Sequence, residues 1–374
     1  MATEGRGGES RAAARVRAVV RPEVQALAAY PVPSAAGLIK LDAMENPYPW
    51  PEAMRAEWAR LAGQVAVNRY PDAGAGELKA RLREALELPA EAALVLGNGS
   101  DELIQMVAMA VATAGATMLV PEPSFVMYRH AALATGMDYR EVALDAESFA
   151  LPRAAMLEAI ERHRPALIFL AYPNNPTGNL WARPTIEAVI EAAPGLVVLD
   201  EAYAPFAHRS FVGQLHRYPN LVVLRTVSKL GLAGLRLGVL AAPAPWAEAL
   251  ERLRLPYNIN ALTQACAIFA LGRAELFAAQ AERIRAERER LIGRLERIAG
   301  LRVWPSEANF VLVRTLARPA AEVHAGLLEA GILVKNLHGA SPALANCLRL
   351  TVGLPEDSEA LLGALERLCA GPRA

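Results

Sequence analysis

The chain is short of cysteine, of lysine and of net charge. Its three cysteines, Cys266, Cys347 and Cys369, lie far apart and form no C-x-x-C pair. That spacing excludes a disulfide framework and the usual zinc ligand sets, and it fits a reducing cytoplasm. Six histidines make no H-E-x-x-H pattern, so no metal site is expected. Basic and acidic side chains balance at 39 each, which gives no bulk attraction to nucleic acid or to an anionic membrane. Any anion must be recognised locally. Residues 1–23 lack the apolar core of a secretory signal. They read as a flexible tail, over 1–22, leading into a short helix. Residues 103–120 carry no charge, but Gly115, two threonines and a glutamine interrupt them. A buried helix followed by a buried strand explains this run better than a membrane span. Only four lysines, Lys40, Lys79, Lys229 and Lys335, stand against 35 arginines. Arginine serves most needs for a cation here, so each lysine is a candidate for chemistry that requires an amine.

What is present is a globular chain of 374 residues, 53% apolar and 21% charged, long enough for two domains. From about residue 94, short apolar runs alternate with helical stretches. The runs are Leu94–Leu96, Met118–Val120, Tyr139–Leu144, Leu167–Ala171, Val197–Leu199, Leu221–Arg225 and Leu237–Ala241. Several are continuously apolar, as strands covered on both faces must be. Helices are expected at Ser100–Ala112, Ser124–Thr135, Arg153–His163 and Arg183–Ala193. This pattern predicts an α/β layer with a mostly parallel central sheet. Beyond Leu262 an Arg/Glu-laced helix near Ala274–Ala299 leads into strands at Phe310–Val313, Ile332–Val334 and Cys347–Val352, a smaller α+β unit. The expected division is a segment 23–50 packing on both domains, a large domain 51–272 and a small domain 273–374.

Four stretches carry possible chemistry. Leu96-Gly-Asn-Gly-Ser-Asp-Glu102 follows a strand and opens a helix. Glu102 replaces the third glycine of a dinucleotide fingerprint, which leaves a turn suited to one phosphate, or plain capping by Ser100 or Asp101. Tyr172-Pro-Asn-Asn-Pro-Thr-Gly178 sets two asparagines at the carboxyl end of a buried strand, either as turn formers or facing a crevice. Asp200 ends the strand of Val197-Val-Leu-Asp-Glu-Ala-Tyr203. No P-loop accompanies it, so a Walker-type metal role falls away. It remains an acid/base group, a partner for a heterocyclic cation, or a helix cap. Finally, Thr226, Ser228, Lys229 and Arg236 share one glycine-rich loop. Hydroxyls and an arginine can surround a phosphate while the lysine offers an amine. Apolar neighbours after Lys229 favour a desolvated amine of lowered pKa. Together these parts suit an aldehyde cofactor. They supply an amine, phosphate donors and a carboxylate opposite a ring nitrogen.

The ordered set Glu45-Asn-Pro47, Arg69-Tyr-Pro71, Gly99-Ser-Asp101, Pro123-Ser-Phe125, Asn174-Asn-Pro-Thr-Gly178, Asp200-Glu-Ala-Tyr203, Ser228-Lys229 through Arg236, Ser306-Glu-Ala-Asn-Phe310 and Leu348-Arg-Leu-Thr-Val-Gly353 resembles the fold-type I aminotransferases. In detail it is similar to the histidinol-phosphate aminotransferase family, from about Tyr30 to the C-terminus. The resemblance implies pyridoxal 5'-phosphate as cofactor, with Lys229 as its Schiff-base lysine and proton carrier, and Asp200 opposite the pyridinium nitrogen. It implies Asn175 and Tyr203 at the ring oxygen and Phe125 stacked on the ring. Ser100, Asp101, Thr226, Ser228 and Arg236 would hold the phosphate. Tyr70 would reach the phosphate of a neighbouring subunit, which implies a homodimer. Arg349, Tyr30, Asn46 and Lys335 would meet substrate. Some members have Arg-Asp where this chain has Lys335-Asn336, and lysine lacks the guanidinium fork. The implied reaction is transamination between histidinol phosphate and 2-oxoglutarate, in histidine biosynthesis. Aromatic amino-acid transamination and decarboxylation of a phosphorylated amino acid are the alternatives on the same fold.

Overall fold

The computed structural model describes residues 10–28 and 33–369. In chain order its strands are β1 (Ile39–Leu41), β2 (Ala93–Asn98), β3 (Thr117–Glu122), β4 (Asp138–Ala143), β5 (Leu167–Ala171), β6 (Leu196–Asp200), β7 (Leu221–Thr226), β8 (Leu237–Ala242), β9 (Leu301–Val303), β10 (Phe310–Thr315), β11 (Ile332–Asn336) and β12 (Cys347–Thr351). They form two sheets. The larger has the order β2-β8-β7-β6-β5-β3-β4. Pairs within β7-β6-β5-β3-β4 are parallel, and β8 runs antiparallel to both β2 and β7. The mostly parallel sheet is therefore as the alternation of runs and helices predicts.

Every residue of β5, β6, β7 and β8 is buried. Helices cover both faces, so neither face has to be polar, and the strands read as apolar runs, broken only at the carboxyl ends by Asp200 in β6 and by Arg225 and Thr226 in β7. The uncharged stretch 103–120 divides as expected, into helix Gly99–Val111 and strand β3. Among the described residues no single helix is long and apolar enough to cross a membrane.

The smaller sheet has the order β1-β11-β12-β10-β9. The N-terminal segment does more than pack beside it, because β1 pairs in parallel with β11, Ile39 opposite Ile332. Part of the stretch expected as a flexible tail is also ordered into helix. Residues Arg11–Val19 are helical, with the Ser10 hydroxyl accepting from the Ala13 amide at 3.1 Å. An N-cap of this kind satisfies one of the donors left over at a helix start.

Two close approaches bring the sheet onto its helices. At Gly238, on β8, an added Cβ would lie 2.6 Å from the Gly99 carbonyl carbon and 2.7 Å from the Ser100 nitrogen. Glycine there lets β8 lie against the start of helix Gly99–Val111. At Gly99, with φ of +78°, a Cβ would lie 2.7 Å from Arg236 Nη2. Both glycines sit where phosphate donors are expected to gather.

Candidate active site

The chemistry-bearing residues collect at the carboxyl ends of the parallel strands. This is where an open α/β sheet leaves a crevice. Asp200 is the last residue of β6, Thr226 the last of β7, Asn175 follows β5, and Phe125 follows β3. Lys229 lies in a short 3-10 turn after β7. A cavity of about 390 Å³ joins them, lined by Ser100, Asp101, Phe125, Asn175, Asp200, Tyr203, Thr226, Ser228, Lys229 and Arg236. Ten expected site residues thus share one space of a size suited to a small ligand. A larger open groove, about 1090 Å³, runs past Glu57, Arg81, Arg225, Arg273 and Arg285. Its walls are surface ion pairs and helix ends, so volume alone does not mark the site.

Asp200 is buried among the cavity walls. One oxygen accepts from the Tyr128 hydroxyl at 2.7 Å and the other from the Ala202 amide at 3.0 Å. Burial dominates all the same and raises its pKa to about 6. Among the described residues no cation pairs with Asp200. A buried carboxylate without a counter-charge is a receptor for a cation.

Lys229 is its complement. Burial lowers the amine to about 8, and the charge of Arg349 adds to the effect. Its Nζ donates to the Ala43 carbonyl at 3.3 Å and lies 5.6 Å from the centre of the Tyr203 ring. A neutral amine is the attacking form. In the protein without cofactor, the rate at which Lys229 captures an aldehyde should therefore rise with pH and level off above about 8. Stopped-flow absorbance between pH 6 and 10 tests this; a flat profile would contradict the lowered pKa.

The residues expected to hold a phosphate line the same cavity. Helix Gly99–Val111 begins at Gly99, so Ser100 and Asp101 lie in its first turn and neither caps it. Glu102 reaches back instead, accepting from the Asn98 amide at 2.6 Å. First-turn amides have no partner within the helix. The Thr226 hydroxyl is 2.9 Å from that of Ser228, and Arg236 Nη2 is 3.2 Å from Asp101 Oδ2.

A hydrogen-bonded line then runs to the small sheet. Arg349 Nη1 donates to Asn175 Oδ1 at 2.6 Å, and Asn175 Nδ2 donates to the Tyr203 hydroxyl at 3.1 Å. Its neighbour Asn174 is spent on scaffold, donating to the Pro123 carbonyl and to Thr177. The geometry thus separates two asparagines that look alike as turn formers. Lys335 faces Arg349 across β11 and β12 in register, so both strands bring a cation to one neighbourhood.

Asn46 and Tyr70 lie elsewhere. Asn46 does not line the cavity: its amide donates to the Leu230 carbonyl and to Gln280, both at 2.9 Å, and so anchors the Lys229 loop. Tyr70 is 80% exposed and stacks on Tyr257 with ring centres 4.5 Å apart, away from this chain's cavity. Tyr30 is outside the described residues.

Two features escaped the reading of the sequence. Tyr128 supplies the Asp200 contact; its spacing of three from Phe125 at a helix start is the only available signal. Glu201, fully buried, pairs with Arg225 at 2.8 Å and accepts from the Phe211 amide at 2.6 Å. That pair ties the end of β6 to the end of β7, behind Asp200 and Thr226. An arginine inside a buried strand, as at Arg225, was the signal for it.

Comparison with known proteins places the chain in a family. The family aminotransferase class I and II matches residues 36–365. A histidinol-phosphate aminotransferase of Chromobacterium violaceum is 53% identical over 94% of this chain and 98% of its own length. Histidinol-phosphate aminotransferase 2 of Nitrosococcus oceani is 50% identical, again over 94% and 98%. Among solved structures, the histidinol-phosphate aminotransferase of Sinorhizobium meliloti, in complex with pyridoxal-5'-phosphate, superposes with a TM-score of 0.82. It is 25% identical and covers 94% of this chain and 97% of that one. The chain belongs to the histidinol-phosphate aminotransferase family, within aminotransferase class I and II.

Proposed function

We propose that the protein catalyses transamination between histidinol phosphate and 2-oxoglutarate with pyridoxal 5'-phosphate, and that it serves histidine biosynthesis. One observation carries the cofactor reading. A single cavity holds a buried acid without a counter-charge, an amine depressed to about 8, and a phosphate cradle. The residues fit the group. Asp200 would face its ring nitrogen, Phe125 its ring, and Asn175 and Tyr203 its ring oxygen. Ser100, Asp101, Thr226, Ser228 and Arg236 would take its phosphate. When bound, the cofactor supplies an electron sink for the bond broken at the substrate Cα. Lys229 Nζ would take the Cα proton and deliver it to the cofactor's former aldehyde carbon, across the shared nitrogen, because its lowered pKa suits both directions near neutrality. Asp200 would keep the ring nitrogen protonated. Arg349 would anchor the phosphate of histidinol phosphate in one half-reaction and a carboxylate of 2-oxoglutarate in the other, with Lys335 adding a point charge.

Steady-state turnover with histidinol phosphate and 2-oxoglutarate tests the substrate. Faster turnover of phenylalanine or tyrosine would move the chain to the aromatic alternative, and release of carbon dioxide would move it to decarboxylation. Arg349→Ala should raise KM for both substrates by roughly thirtyfold or more, about 2 kcal/mol for a buried charge-assisted contact. Unchanged KM for both would remove Arg349 from the site.

We further propose a homodimer in which Tyr70 reaches the neighbour's phosphate. Exposed Tyr70, Val67, Leu255, Tyr257 and Leu262 support it as apolar surface in need of cover. A monomer mass by sedimentation would contradict it. The proposed division keeps a large domain at 51–272 and a small one at 273–374. Three free, buried cysteines support a cytoplasmic location.

A further inference from the structure

We propose that Tyr128 is a positioning residue for the reaction, fixing the orientation and the charge of Asp200 and through it the protonation of the cofactor's ring nitrogen. This rests on the cofactor reading above. Tyr128 sits one turn after Phe125 in helix Val126–Thr135 and is fully buried. Its ring stacks on Phe169 with centres 4.5 Å apart and planes 10° apart, and meets the edge of Phe125 at 5.6 Å. That packing leaves the hydroxyl little choice of direction, and it points at Asp200 Oδ2 from 2.7 Å.

The other oxygen, Oδ1, accepts from the Ala202 amide. The carboxylate is thus gripped at both oxygens by donors from the cavity's own walls, and its plane is fixed before any ligand arrives. Each oxygen keeps a second lone pair for a cation. Burial pushes the tyrosine hydroxyl well above its usual range, and the charge of Asp200 adds to this. Tyr128 therefore stays a donor and never competes as an anion. The other ionisable groups acting on Asp200 raise its proton affinity: Asp101 from the first turn of helix Gly99–Val111, and Glu201 next in the chain. Among the described residues, Tyr128 is the only side chain whose hydrogen bond opposes them. A buried tyrosine needs some acceptor, and a carbonyl would satisfy it. Here the acceptor is the acid on which the chemistry depends.

Tyr128→Phe removes the hydroxyl and keeps both ring contacts. In the cofactor-free protein, the Asp200 carboxyl should then titrate about one to two units higher, the effect of losing one hydrogen bond to a charged group. Carbon-13 NMR of labelled aspartate, assigned with Asp200→Asn, reads this directly. In the loaded protein, nitrogen-15 NMR of the labelled ring should show a weaker protonation signature. The acid limb of kcat should move to higher pH while KM for histidinol phosphate stays within about twofold. If Tyr128→Phe does not fold, difluorotyrosine at position 128 replaces it. That side chain is a stronger donor of nearly the same shape, so the Asp200 midpoint should fall. An unmoved midpoint in either folded variant overturns the proposal. Failure of the natural protein to bind pyridoxal phosphate overturns the cofactor reading and this proposal together. Normal loading with an unmoved midpoint overturns this one alone.

Discussion

Lys229→Ala should lose at least about 10⁴-fold in turnover while its cofactor-free form melts no lower than the natural protein at pH 7. The first effect follows from the proposed double role of Lys229, the only lysine lining the cavity among the described residues, which would both hold the cofactor and carry the proton. The second follows from linkage. Burial lowers the Lys229 pKa from 10.5 to about 8, so the unfolded chain binds its proton more tightly than the folded one. The folded state is penalised most fully below pH 8, and the penalty fades as pH rises from about 8 towards 10.5. A gap of that size is worth about 3 kcal/mol as an upper figure, and alanine removes it at the cost of some packing. Calorimetry beside an activity assay separates the two effects. Normal turnover in the variant would sink the mechanism. Lost turnover together with a collapsed melt would mean that Lys229 is needed for folding instead.

Asp200→Ala should retain measurable cofactor but lose about 10²- to 10⁴-fold in turnover. If Asp200 pairs with the ring nitrogen as proposed, removing it breaks a buried charge pair, at a cost of about 3–5 kcal/mol. The pH dependence gives a second handle. The Asp200 pKa is raised from 3.8 to about 6, so in the cofactor-free protein stability falls as pH rises through that window and the carboxylate ionises in its buried place. A cation can pair only with the ionised form. Cofactor affinity should therefore drop as pH falls below about 6 in the natural protein, and the drop should be absent in Asp200→Ala. Equilibrium dialysis from pH 5 to 7 tests this. The same drop in both proteins would assign it to another group, and full turnover in Asp200→Ala would remove the electron-sink role.

The parts of the fold legible in the sequence are those where burial acts on both faces. β5 to β8 show as apolar runs because helices cover each side. β1 and β9 have three residues each, too few to show a period, and β1 finds its partner nearly 300 residues away. Helix Glu52–Ala62 buries only Met54 fully, so its stripe is faint. Lys229 and Asp200 were legible because their residue types are chemically singular at a strand end. Tyr128 was not, because a tyrosine on a buried helix face reads as core until its hydroxyl is seen to meet a residue 72 positions away. Asn46 shows the opposite case. Its motif marks the family, yet its amide is consumed in holding the loop that presents Lys229.

The most direct test of the central claim is a single half-turnover. Purified protein loaded with pyridoxal phosphate is mixed with histidinol phosphate in the absence of any acceptor, and the cofactor absorbance is followed. Conversion to the pyridoxamine form at one equivalent per Lys229, reversed by adding 2-oxoglutarate, is the result predicted. A spectrum that histidinol phosphate leaves unchanged, in protein that phenylalanine converts, would contradict it.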